Sequence, residues 1–253
     1  MSNYLKYKSL FYNLLASELK LKYKNSVLGF LWTLIEPALI ILILLFVFSN
    51  VFKFDAPLYA PYLITGFIAW TFFSNGTSIL DIFVSKANLI NKLNFPIEIL
   101  VFSSFSSILI LSLIQFVILE IVLIMLKVEV SSGLILLPVI ILLQSVFVLG
   151  FLFFLSSLYV FAHDLRYIWT IILQASFFAT PIFYPVALLQ EKAPLLLKLN
   201  PMSYFISAYR DIMVYARLPA FYDLLAIFLA SIISFLVGYI VFRMLKVRIR
   251  DEV

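Results

Sequence analysis

Ile99 to Leu126 reads ILVFSSFSSILILSLIQFVILEIVLIML, and its one charge is Glu120. About 20 apolar residues in a helix cross the hydrocarbon core of a bilayer, so this stretch is long enough to span. It shows none of the short polar–apolar alternation that a strand of a membrane barrel needs, and helices and closed barrels are the two permitted spanning structures. Working outward, residues 25–52 also carry one charge, Glu36. Residues 56–80, 130–162 and 167–190 carry none, and Asp223 to Arg243 encloses a sixth uncharged run. The expected fold is an all-α integral membrane protein with six transmembrane helices. The spans fall near 30–52, 58–82, 98–126, 134–161, 167–184 and 222–243 of one domain, 27–253, behind an amphipathic N-terminal segment, 1–26.

Composition agrees. The 253 residues are 64% hydrophobic and 12% charged, against about 45–50% and about 25% in soluble domains. That excludes a soluble enzyme, and it is the reverse of the signature of disorder. The chain has no cysteine, which excludes a disulfide-stapled scaffold. With six spans both termini share a side. Twelve lysines and arginines lie on that side and six on the other, so the excess places both termini in the cytoplasm. The net charge of +5 is then a topology signal rather than a nucleic-acid face. No short basic start with a 7–15-residue apolar stretch precedes the first span, so no cleavable signal peptide is expected.

Three non-spanning segments stand out. Leu10, Phe11, Leu14, Leu15 and Leu19 recur at helical spacing among lysines, which predicts an amphipathic helix in the membrane interface. The period-two alternation from Leu19 to Lys24 weakens the helix there. The Asp81–Glu98 loop is long enough for a short helix, and Phe95–Pro96 stops any helix before the third span. The His163–Arg166 loop is tight. Beyond the fifth span, Pro181, Pro185, Pro194, Pro201 and Pro219 divide the chain into two short amphipathic pieces, roughly 186–198 and 202–215, read as an outer gate.

No catalytic constellation and no metal site is expected. One histidine excludes paired-histidine sites, and neither GxSxG, GxGxxG nor a Walker A sequence occurs. The intramembrane acids, Glu36 and Glu120, are too few for an ion-coupled carrier with repeated halves. Aromatics abound, with 27 Phe, 14 Tyr and 3 Trp. Most such rings face lipid or pack between helices, but two helical faces mix hydroxyl, amide and aromatic groups: Tyr62, Gly66, Phe73 and Thr77, and Thr170, Gln174, Phe177, Pro181 and Tyr184. Trp32, Glu36, Tyr62, Trp70, Phe73, Gln174, Phe177 and Tyr184 are the candidates for lining a passage.

The segment from Lys20 to Pro37 carries Tyr23, Lys24, Ser26, Leu28, Gly29, Trp32 and Pro37. It resembles the opening of ABC exporter permeases of the polysaccharide-export group, the membrane subunits for O-antigen, teichoic acid and capsule export. Phe95–Pro96, Pro181–Pro185, Asn200–Pro201, Tyr204 and Arg210 extend the resemblance over essentially the whole chain, and the O-antigen exporter subunits are the most similar. The resemblance implies two copies with a channel between them and two ABC ATPase subunits docked below. ATP and magnesium would sit on that ATPase, with no cofactor on this chain. The cargo implied is a polysaccharide on a polyprenyl diphosphate lipid. A cytoplasmic coupling helix near 86–96 would use Lys86, Asn88, Asn91 and Lys92, with Asp164 and Arg166 beside it. Pro185, Pro201, Tyr204 and Arg210 would belong to the outer gate. Alternatives are an ABC permease for drugs or small lipids, a passive channel or scaffold, and an intramembrane glycolipid-processing enzyme, which would need more acids and bases than Asp81 and the His163–Asp164 pair.

Overall fold

The computed structural model describes residues 7–22, 26, 28–48, 58–129 and 132–253. Lys6, Tyr23, Lys24, Lys53 and the end of the first expected span, 49–52, lie outside the described residues. Among the described residues the chain is all-helical. In order the α-helices are α1 (Lys8–Lys22), α2 (Trp32–Phe46), α3 (Tyr59–Thr77), α4 (Ile82–Ser85), α5 (Ala87–Lys92) and α6 (Glu98–Met125). They continue as α7 (Leu137–Tyr159), α8 (Leu165–Ala179), α9 (Val186–Lys192), α10 (Pro194–Leu199), α11 (Pro201–Met213) and α12 (Phe221–Glu252).

Among the described residues three helices are long and apolar enough to cross a membrane: Glu98–Met125, Gly133–Tyr159 and Phe221–Glu252. The last runs well past Arg243, where the charge pattern ends the sixth span, because Lys246 and Arg250 find partners against Glu98 and the Phe95 carbonyl. α2 and α8 are apolar but have 15 residues each, about 22 Å of helix against a core of about 30 Å. α8 stops at Ala179 because Thr180 precedes a proline and takes extended backbone, φ −97° and ψ 136°. α3 has 19 residues and most of them are buried. It packs on α6, α7 and α11, so its Gly66, Gly76, Thr65 and Thr77 face protein rather than lipid.

The largest helix contact joins α7 to α12. It is close because Gly150 and Gly238 meet: a Cβ on Gly238 would stand 1.9 Å from the Gly150 carbonyl oxygen. Ser231 and Ser234 of α12 donate to the Leu143 and Phe147 carbonyls of α7 at 2.8 and 2.9 Å, as small and hydroxyl residues do between membrane helices. Ser103, Ser107 and Ser156 are also buried but donate within their own helices.

Two local expectations change. α1 continues through Leu19 to Lys22 despite the alternation there, because the helix lies along α6 and Glu18 is tied to Lys86. The two pieces expected after Pro185 are three helices, since Pro194 and Pro201 each begin a new one. Proline at the first helical position gives up only an N–H that would have no intrahelical acceptor.

Candidate functional site

Six residues outside any helix, 180–185, join α8 to α9, and each carbonyl from Thr180 to Tyr184 has a donor. Ile182 N–H donates to Thr180 O at 2.7 Å. Arg210 donates from Nη1 to Pro181 O and from Nη2 to Ile182 O, both at 2.7 Å. Tyr59 donates to Phe183 O at 2.9 Å and Tyr62 to Tyr184 O at 2.8 Å. Irregular backbone inside a membrane protein persists only where protein or water satisfies it, and here side chains from α3 and α11 do so.

Arg210 holds this arrangement together. It is 2% exposed, it donates from Nε to the Tyr62 carbonyl at 3.0 Å, and its guanidinium lies 3.3 Å from the centre of the Tyr62 ring. Burial pulls its pKa down to about 10, so it stays charged at neutral pH. Gly66 leaves room for it, since a Cβ there would sit 2.4 Å from Nη2. Asn200 caps α11 by accepting from Met202 N–H at 3.0 Å and donates to the Thr180 hydroxyl at 2.8 Å. Tyr204 donates to Lys198 O at 3.1 Å. Of the four gate candidates, Pro185, Pro201 and Tyr204 shape the turns between short helices, and Arg210 is the internal tie.

The passage candidates separate. Tyr62, Trp70 and Phe73 are buried within the chain: Phe73 stacks on Phe147 at 5.6 Å, and Trp70 meets Phe73 and Phe177. This departs from the expectation of an open stripe on α3: Arg210 covers Tyr62 and Gly66, α7 rings cover Phe73, and Trp169 covers Thr77. On α8 the inward residues are Trp169 and Leu173, while Thr170 and Gln174 are exposed and Phe177 and Tyr184 half-buried. Trp32 and Glu36 are exposed and line a cavity of about 110 Å³ with Lys22, Thr71, Asn75 and Gln115. Burial lowers the pKa of Lys22, and Glu36 opposes that shift.

At the other end of the bundle, the short helix expected near 86–96 is α5, and the one-turn α4 precedes it. Lys86 pairs with Glu18 of α1 at 3.1 Å. Asn91 donates to the Val253 carbonyl at 3.2 Å, and Tyr7 to the Asn94 carbonyl at 3.3 Å. Arg166 pairs with Asp81 at 3.0 Å. Asn88, Asn91, Lys92 and Asp164 remain exposed. A small polar surface is thereby braced against α1, α8 and α12.

One buried network escaped the sequence. Tyr209 donates to Gln144 Oε1 at 2.7 Å, and Gln144 Nε2 donates to the Ala69 carbonyl at 2.8 Å, joining α11, α7 and α3. The readable signal was an amide in the middle of an apolar helix, which must find partners or cost several kcal/mol.

Comparison with known proteins gives these features a context. The family model described as ABC-2 type transporter matches residues 9–214. The O-antigen export system permease protein RfbA of Myxococcus xanthus is 30% identical, over 90% of this chain and 88% of the relative. An RfbA permease of Klebsiella pneumoniae is 29% identical, over 92% and 91%. The match takes in α1, the braced α4–α5 surface and the whole Thr180–Met213 region, and the chain belongs to the ABC-2 type transporter family.

Proposed function

We propose that this chain is the membrane subunit of an ATP-driven exporter that moves a polysaccharide, carried on polyprenyl diphosphate, out across the cytoplasmic membrane. Two copies pair around the channel. α2, α3, α6, α7, α8 and α12 are the six spans; both termini, α1 and the α4–α5 surface face the cytoplasm, and α9 to α11 form the outer gate. Two copies of an ABC ATPase, which bind ATP and magnesium, dock on Lys86, Asn88, Asn91, Lys92, Asp164 and Arg166.

The observation that carries this reading is the face of α8. Thr170 and Gln174 are exposed on a helix whose other outward residues include Ile171, 65% exposed, and Phe178, 66% exposed. A carboxamide turned to lipid is costly, whereas one facing a water-filled passage or a second copy is not. Polar and aromatic groups on one strip suit a hydrated sugar chain, whose ring C–H faces pack on aromatics. Trp70 and Phe73 support the wall from behind, so Trp32, Glu36, Gln174, Phe177 and Tyr184 are the residues nearest the cargo. The aligned O-antigen export permeases support the cargo class.

Deleting the chain and locating lipid-linked glycan in intact and opened cells tests the proposal. The expected result is full-length glycan trapped inside, with none at the surface. Unchanged surface glycan would refute it and favour export of drugs or small lipids.

A further inference from the structure

Beside the gate lies a cavity of about 500 Å³ lined by Tyr62, Gln190, Arg210, Asp211, Tyr215 and Asp223, among others. Its floor is built rather than incidental. The chain leaves α11 through a tight turn in which Val214 and Tyr215 N–H groups both donate to the Arg210 carbonyl at 2.9 Å. Ala216 then takes a left-handed conformation, φ 50°, unfavourable for a residue with a Cβ. The Arg217 N–H closes the turn on the Asp211 carbonyl at 2.8 Å, and its side chain clamps the Asp211 carboxylate at 2.6 Å. Asp211 is 7% exposed.

A second observation points to an occupant. A guanidinium has five N–H donors, and Arg210 spends three on the Tyr62, Pro181 and Ile182 carbonyls. Each guanidinium nitrogen thus has one acceptor, and the second N–H of Nη1 and of Nη2 makes no further bond among the described residues; the side chain is 2% exposed and lines the cavity. Those two N–H groups can donate to a group that enters the cavity. Around it stand a carboxamide, two carboxylates and two phenols, of which Tyr215 is 42% exposed.

We infer that this cavity is an exit-side subsite for one sugar ring of the transported glycan; the inference rests on the export reading above. Hydroxyls accept from Arg210 and donate to Asp223 and Asp211, Gln190 does both, and a ring C–H face packs on Tyr215. Phosphate is disfavoured, because Arg217 is committed to Asp211 and Asp223 adds a negative charge. The subsite therefore holds the sugar chain rather than its lipid diphosphate, beside the backbone break that Arg210 ties.

The test places the photo-reactive residue p-benzoylphenylalanine at Tyr215 in cells making the glycan. Ile135, 81% exposed, is the control. The expected result is a ladder of glycan-bearing bands from position 215, absent from position 135 and lost when glycan synthesis is disabled. Gln190→Ala with Asp223→Asn should lower surface glycan several-fold at unchanged membrane abundance. No ladder at 215 while export proceeds would overturn the subsite and leave the export reading standing. Cross-linking to a second copy of the chain instead would show the cavity filled by the dimer and also overturn it. If deleting the chain leaves surface glycan unchanged, the export reading falls and takes the subsite with it.

Discussion

Pro37 has no N–H for the Thr33 carbonyl, and a proline within a helix ordinarily leaves that acceptor bare. Here Gln115 of α6 supplies the donor from its Nε2, at 2.9 Å. Arg210 does the same service on a larger scale, for two carbonyls of the broken backbone and one of α3. The two cases rank. Gln115→Leu removes one neutral donor from a buried acceptor, a cost of about 1–3 kcal/mol. Arg210→Met removes three charge-assisted bonds, worth about 1.5–3 kcal/mol each, and should unfold the detergent-purified protein at a distinctly lower temperature. Arg210→Lys should rescue little, because an ammonium cannot reproduce the planar fork. Equal melting of the Gln115 and Arg210 variants would show that the break does not depend on its arginine. Little of this was legible beforehand. Arg210 stood out in the sequence as a motif residue of the gate, but the acceptors of a buried arginine are backbone atoms, which carry no sequence signature.

At the scale of elements, proline marked several of the boundaries. Pro96, Pro181, Pro185, Pro194 and Pro201 each lie within two residues of a helix end or start, because a missing N–H and a fixed φ act locally. What proline could not announce is how tightly helices approach. Gly150 and Gly238 lie 88 positions apart in the sequence and look unrelated there. They meet so closely that a Cβ on Gly150 would stand 2.3 Å from the Ser234 backbone. Gly238→Ala should therefore force α7 and α12 apart, with an overpacking cost of about 1–3 kcal/mol, visible as a lower melting temperature. Gly29→Ala is the contrasting variant. Nothing lies within 4 Å of its Cβ position, so only its left-handed φ of 47° is strained, at about 1–2 kcal/mol. A Gly238→Ala protein as stable as the parent would mean that the two helices are free to separate.

For the whole molecule the charge asymmetry predicts orientation, and the fold sharpens it. Arg210, counted among the six cations of the outer side, is internal, so the surface bias is greater than the sequence suggests. The weak point is α8, whose 15 residues reach about 22 Å. It crosses only if the irregular stretch 180–185 supplies the rest, and the donors to its carbonyls permit such backbone there. The chain has no cysteine, so single cysteines report cleanly on sidedness. Asn88→Cys and Asp164→Cys lie at the braced polar surface, and Gln190→Cys and Leu218→Cys lie beyond α8. In spheroplasts a charged, membrane-impermeant maleimide should label the last two, and the first two only after the membrane is opened. Coexpression of the ATPase should then shield Asn88→Cys. If Gln190→Cys and Asp164→Cys label from the same side, α8 does not cross: it is a re-entrant element, the six-span count fails, and the twelve-to-six charge count must be drawn again.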